Sequence, residues 1–306
     1  MNRSVVNRVP RYRQPAMLLA AILAIGLAVS ALRDDPDRPT SITTDADPGV
    51  VHVHGLALNP ANGELMAATH TGLFRLPRGG QAVRVGDRYQ DTMAFTVTGP
   101  DRFLGSGHPD LTETQLVPEG GRPLLGLIQS IDAGQSWQPL SLLGVADFHS
   151  LASQHGLVYG LDSTGGRLLV SGDRLNWEPR AQLFALDLAV SPTRPEVVLA
   201  SDGGMLLASE DGGRSFLLRP GPELAFVEWP SPAVLWGASL TGEVYLSRDA
   251  GTTWTERTGL DGEPESFLAT GDELYASVVD GGIVRSTDAG RRWQLHYANG
   301  GTVAGR

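Results

Sequence analysis

The chain has 306 residues, 41% of them hydrophobic, with 38 Gly and 20 Pro, which excludes a disordered polypeptide and indicates a folded, turn-rich protein. It contains no Cys, so disulfides, thiol catalysis and thiolate metal sites are excluded. All 24 basic residues are Arg, set against 34 acids for a net charge of −10, and such a chain lacks the basic patches that phosphate contacts need, which excludes nucleic acid as a partner.

The first element is an export segment. Residues 1–14 carry Arg3, Arg8, Arg11 and Arg13, and residues 15–32 form an uncharged apolar run. The Arg-rich side is expected to stay in the cytoplasm and the remainder to lie outside. Two readings are open. Cleavage after Ala31 fits a signal peptide, whereas the length of the run exceeds a usual signal core and approaches that of a transmembrane anchor. On either reading the body is extracytoplasmic, secreted or held to the cell membrane by one N-terminal segment. Residues 33–49 are polar, acidic and Pro-containing, and read as a flexible tether.

From residue 50 onward, short β-type runs alternate with Gly, Pro and Asp turns. An octapeptide Ser-x-Asp-x-Gly-x-x-aromatic occurs at Ser130–Trp137, Ser209–Phe216, Ser247–Trp254 and Ser286–Trp293, with a version one residue shorter at Ser171–Trp177. Its aromatic positions 137, 177, 216, 254 and 293 are 40, 39, 38 and 39 residues apart. A period near 40 signifies a repeated structural unit. Unit four shows its content: 187–192, 196–201, 205–210 and 215–220 read as four strands, with the octapeptide as the hairpin turn between the last two. Residues 56–80 overlay this unit with one insertion, so a first unit exists that carries Leu76-Pro77-Arg78 in place of Ser-x-Asp. The others run 92–142, 148–183, 224–260 and 264–298. Six four-stranded units over residues 50–298 predict an all-β fold, a six-bladed β-propeller, with seven blades as the second choice and 299–306 as a tail.

The octapeptide resembles the box of the Asp-box (BNR) repeat propellers, a superfamily that includes sialidases, sortilin-type receptors and xyloglucan-type hydrolases. The segments HVHGLALNP (52–60), ATHTGLF (68–74), DTMAF (91–95), SGHPD (106–110) and DFHSL (147–151) resemble a narrower group, bacterial exported propellers labelled glycosyl-hydrolase-like. The resemblance implies the fold. It leaves the chemistry open, because the same repeat carries hydrolases and pure binders.

In each box, Ser130, Ser171, Ser209, Ser247 and Ser286 and the acids Asp132, Asp173, Asp211, Asp249 and Asp288 are expected to bond their own turns. Gly134, Gly213, Gly251 and Gly290 supply positive φ, and Trp137, Trp177, Phe216, Trp254 and Trp293 pack onto the sheet. A calcium or catalytic role for these acids is the poorer reading, since each sits in the same hairpin. Function is expected on the opposite face. There, His54 and His149 stand at the starts of first strands, His70 and His108 at the ends of second strands, and Asp91 and Asp147 just before first strands. Four imidazoles and two carboxylates on three adjacent blades form a donor set for a divalent metal such as zinc or copper. Without a metal, the same face remains a candidate surface for a protein or glycan ligand.

The enzyme reading is a glycoside hydrolase. Phe74-Arg75-Leu76-Pro77 mimics a sialidase signature but falls in a third strand, so a conventional sialidase mechanism is not supported. Arg102, Arg122 and Arg167 do not recur at equivalent positions, and Tyr159, Tyr245 and Tyr275 read as packing residues. An acid–base pair would have to come from Asp91, Asp147 and Asp110, at a separation that sequence does not give. Trp229 and Trp236, outside the boxes, are explained by core packing.

Overall fold

A computed structural model describes residues 47–110 and 112–298. The basic segment, the apolar run, most of the tether and the tail lie outside the described residues. No helix among those described is long and apolar enough to cross a membrane.

Each repeat unit folds into one antiparallel sheet of four consecutive strands. Blade 1 contains β1 (Val53–Leu58), β2 (Leu65–Thr69), β3 (Gly72–Leu76) and β4 (Val83–Arg84). Blade 2 contains β5 (Asp91–Gly99), β6 (Arg102–His108), β7 (Leu127–Ser130) and β8 (Gln138–Ser141). Blade 3 contains β9 (Phe148–Gln154), β10 (Leu157–Asp162), β11 (Arg167–Ser171) and β12 (Glu178–Gln182). Blade 4 contains β13 (Asp187–Val190), β14 (Val198–Ser201), β15 (Leu206–Ser209) and β16 (Leu217–Arg219). Blade 5 contains β17 (Phe226–Ser231), β18 (Val234–Ala238), β19 (Val244–Ser247) and β20 (Thr255–Glu256). Blade 6 contains β21 (Pro264–Ala269), β22 (Leu274–Val278), β23 (Gly282–Ser286) and β24 (Gln294–Tyr297). The first strands of successive blades lie side by side, and β1 of blade 1 meets β21 of blade 6. The fold is a six-bladed β-propeller.

Because blades stack face on face, second strands are covered on both sides. β2, β18 and β22 (LMAAT, VLWGA and LYASV) are buried at every position, which explains why they read as continuous apolar runs rather than alternating ones. Small residues beside one bulky one let neighbouring sheets approach. Trp236 fills the seam between blades 5 and 6, fully buried, and its indole N–H donates to the Gly271 carbonyl at 2.8 Å. Burial of such a side chain contributes roughly 2–3 kcal/mol.

The turns between third and fourth strands follow one pattern. In blade 4, Ser209 Oγ donates to Asp211 Oδ1 at 2.7 Å, Gly213 N–H donates back to Ser209 Oγ at 2.8 Å, and Ser215 N–H donates to Asp211 at 2.9 Å. Ser130/Asp132, Ser247/Asp249 and Ser286/Asp288 repeat it, and the short turn at Ser171/Asp173 keeps the Ser–Asp bond at 3.2 Å. The aromatic rings do more than cap their own sheet. Trp177 stacks near Phe148 and donates to Ser141 Oγ of blade 2 at 2.9 Å, and Trp293 donates to the Thr258 carbonyl of blade 5 at 2.8 Å, so these rings fasten each blade to the one before it. The first unit lacks this turn, and residues 77–80 close by a Gly80 N–H to Pro77 carbonyl bond instead.

Candidate metal centre

The turns just described sit beside the hairpins joining first and second strands: Ala133, Gly212 and Ala289 N–H groups donate to the carbonyls of Asp101, Glu196 and Asp272. First strands therefore begin, and second strands end, on the opposite face. His54, Asp91, His108, Asp147 and His149 all occupy that face, with His70 one residue past the end of β2.

How the chain turns these side chains toward one another is visible in strand register. Val53 and Gly55 pair with consecutive residues Thr69 and Ala68, so His54 is the extra residue of a β-bulge. His149 is likewise extra between Phe148 and Ser150, and Glu265 between Pro264 and Ser266. Met93 holds the corresponding place in blade 2. A bulge re-aims a side chain out of the regular alternation. Blades 6, 1, 2 and 3 carry bulges at this level, and β13 of blade 4 pairs without one. Opposite Met93, Gly107 adopts φ +134°, and a Cβ there would collide with the Asp91 carbonyl oxygen. Glycine is thus required for the close β5–β6 approach that seats His108 against Asp91.

The result is an arc of alternating imidazoles and carboxylates. Asp91 is its hub: Oδ1 lies 3.2 Å from His54 Nε2, and Oδ2 lies 3.1 Å from His70 Nδ1 and 3.2 Å from His108 Nδ1. Its other nitrogen, His108 Nε2, stands 3.8 Å from Asp147 Oδ2, which also meets His149 Nε2 at 2.9 Å and accepts from Ser163 Oγ at 3.0 Å. Donor atoms of His54, His70 and Asp91 all fall within 4.8 Å of one another. Those of His108, Asp147 and His149 do not close to that limit.

Burial differs sharply along the arc. The His54 side chain is 9% exposed and that of His70 61%. Burial pushes the His54 imidazole down, keeping it neutral and able to coordinate, against the opposing pull of Asp91. Burial works against the charge of Asp91 too, but His108 and His54 outweigh it and hold the carboxyl well below the ordinary range. The same balance, set by His149 and His108, lowers Asp147. His108 is raised by its bond to Asp91, partly offset by burial. Three buried polar atoms here lack a hydrogen bond: His54 Nε2, Asp91 Oδ1 and Asp147 Oδ1. His54 Nε2 and Asp91 Oδ1 are near neighbours, but their geometry makes no bond.

The sequence missed two members of this face. His52 Nδ1 donates to Glu265 Oε1 at 2.8 Å, and the His52 ring packs edge-on against His54 at 4.6 Å. Aligning Val53-His54-Gly55, Phe148-His149-Ser150 and Pro264-Glu265-Ser266 by strand start would have found Glu265. The other oxygen of Glu265 accepts from Val53 N–H at 3.2 Å and Ser277 Oγ at 2.8 Å, so this carboxylate is fully engaged as a link between blades 6 and 1. The remaining histidines staple blades elsewhere, His155 to the Ser191 carbonyl and His296 to the Leu76 carbonyl.

The hydrolase candidates fare less well. Arg75 is exposed on β3, 4.0 Å from Glu64. The Asp110 carboxylate is engaged by Tyr89 N–H and by Thr112 N–H and Oγ1. Tyr159 and Tyr275 are core residues, as are Trp229 and Trp236. One carboxyl is strongly perturbed: burial, reinforced by the charge of Asp187, pushes Glu228 on β17 well above the ordinary range. Asp187 is itself tied to Val227 N–H, Leu188 N–H and Ser150 Oγ across three blades. Cavities of about 390 and 220 Å³ lie beside Arg257 on the other face, away from this pair.

Neither a protein-family model nor a curated protein matches the chain. Solved structures match it in fold. A GH74 enzyme from Niastella koreensis aligns with 83% of this chain and 46% of its own at TM-score 0.58 and 13% identity. A GH74 xyloglucanase from Xanthomonas campestris aligns with 82% of this chain and 39% of its own, at TM-score 0.52 and 18% identity. A chain of a nidogen/laminin complex aligns over 77% of this chain and 93% of its own, at TM-score 0.60 and 13% identity. The chain thus spans less than half the length of either GH74 enzyme, and at these identities the likeness is one of propeller fold, shared with hydrolases and with a protein in a complex alike.

Proposed function

We propose that this chain is an extracytoplasmic Asp-box propeller that binds a divalent transition metal, zinc or copper, on its His/Asp face. The observation carrying the reading is the convergence of His54 Nε2, His70 Nδ1 and Asp91 within 4.8 Å, with buried His54 Nε2 and Asp91 Oδ1 left without hydrogen bonds. Buried polar atoms without partners are costly, and an ion accepted by both removes that cost. Two imidazoles and one carboxylate suit a borderline cation and leave a coordination position toward the exposed His70 side, where a protein or glycan ligand could add a donor. The Ser–Asp turns support the Asp-box assignment. The Arg-rich start and apolar run of residues 1–32 support export and a membrane link. A glycoside hydrolase is the weaker reading, because Asp187, the carboxylate beside Glu228, is already bound to the scaffold. Elemental analysis of tag-free protein, followed by zinc calorimetry on wild type and His54→Ala, tests the proposal. Metal-free protein that takes up neither zinc nor copper would overturn it.

A further inference from the structure

We infer that the arc holds a second ion, at Asp147, His149 and His108, joined to the first through the His108 imidazole; this rests on the metal-binding reading above. Among the described residues, Asp91 Oδ1 and Asp147 Oδ1 are both shielded from solvent and make no hydrogen bond, one at each position. The parallel goes further. At Asp147 both imidazole contacts, from His149 and His108, fall on Oδ2; at Asp91 Oδ2 takes His70 and His108, while Oδ1 faces His54 Nε2 at 3.2 Å without a hydrogen bond. Other buried acids of the inner strands show what a purely structural carboxylate looks like here. Glu265 uses both oxygens on His52, Val53 N–H and Ser277. Asp162 uses one on Asp147 N–H and Thr164, and the other on Arg167. Asp147 departs from that pattern in the same way as Asp91.

His108 is placed to serve both positions, since its Nδ1 faces Asp91 and its Nε2 faces Asp147. An imidazole has a nitrogen on each side of the ring, so one side chain can contribute to two centres once both nitrogens have lost their protons, as an imidazolate. The second position is looser than the first, and closing it requires the His108 and His149 rings to turn. Their side chains are 38% and 35% exposed, which leaves room for that movement. Ser163, bonded to Asp147 Oδ2, supplies the outer contact that orients a ligating carboxylate. Two ions would then cross-link blades 1, 2 and 3.

Zinc calorimetry on the metal-stripped, tag-free full-length chain should give about two equivalents bound. His149→Ala and Asp147→Asn should each reduce this to about one, with circular dichroism confirming the fold; the partly exposed His149 is the safer substitution. Copper(II) added to saturation should give an electron paramagnetic resonance signal weakened by coupling in the wild type and restored in His149→Ala. A single equivalent in the wild type, unaffected by either substitution, overturns the second position while leaving the first intact. No uptake of either metal overturns both.

Discussion

Replacing Glu265 with Ala should open the ring at its seam. All six sheets are built from consecutive strands, so no strand is shared between the first and last blades, and side chains must hold blade 6 to blade 1. Glu265 is the polar part of that link: it receives His52 on one oxygen, and Val53 N–H and Ser277 Oγ on the other. Val53 and Ser277 are both fully buried, so Glu265→Ala leaves two donors without an acceptor or water. At about 1–3 kcal/mol for each unsatisfied group, the loss should be roughly 2–6 kcal/mol, a large part of a typical 5–15 kcal/mol stability. Glu265→Gln keeps an acceptor and should cost about 1 kcal/mol. Urea denaturation followed by tryptophan fluorescence measures both. The pH dependence gives an independent check. The bond to Glu265 raises His52, so that pairing is complete below the ordinary His value of 6.5 and fades as pH rises through the folded value. Burial opposes the charge of Glu265, but His52 and Ser277 outweigh it and lower its carboxyl; its contribution is complete above the ordinary value of 4.5 and fades as pH falls through the folded one. The gap between wild type and Glu265→Ala should therefore be widest between about pH 5 and pH 6.5. A loss below about 0.5 kcal/mol would show that the apolar seam alone closes the ring.

Glu228→Gln should raise stability at alkaline pH, because a carboxyl held up by burial and by Asp187 loses stabilisation as pH rises from 4.5 through its folded value; thermal melting at pH 5 and pH 8.5 checks this, and equal curves at pH 8.5 would contradict it. Ser209→Ala strips the Gly213 N–H of its acceptor and should cost about 1–2 kcal/mol in urea denaturation, whereas altering the exposed Arg78 of blade 1 should be nearly neutral. Zinc binding should release protons and weaken as pH falls, since the bond to Asp91 raises His108 and a protonated imidazole must lose a proton to coordinate; calorimetry in buffers of different ionisation heat reads the proton count, and zero release would count against His108 as a ligand.

The blades were legible because their signal is local and repeated. Ser, Asp, Gly and an aromatic at fixed offsets close one hairpin whatever surrounds them, and five copies fix the period even where the first unit lacks it. The sharing of one face by His54, His70, His108 and His149 was also legible, because antiparallel strand direction alone decides it. What the sequence did not show is how these side chains turn within that face. Strict alternation would send His54, His149 and Glu265 wherever their neighbours dictate, but each is the extra residue of a bulge, and a bulge depends on how many residues the partner strand offers. Only the pairing of His54 against Thr69–Ala68, of His149 against Asp162–Leu161 and of Glu265 against Val278–Ser277 reveals it. Sequence alone puts Asp91 just outside its strand as one ligand among six, whereas it is the first residue of β5 and the hub on which three imidazoles meet. The difference between a carboxylate spent on the scaffold, as in Glu265, and one with a buried oxygen that makes no hydrogen bond, as in Asp91 and Asp147, lies in which neighbouring blade supplies N–H donors. That is a contact between strands some 40 to 210 residues apart, and no spacing along the chain encodes it.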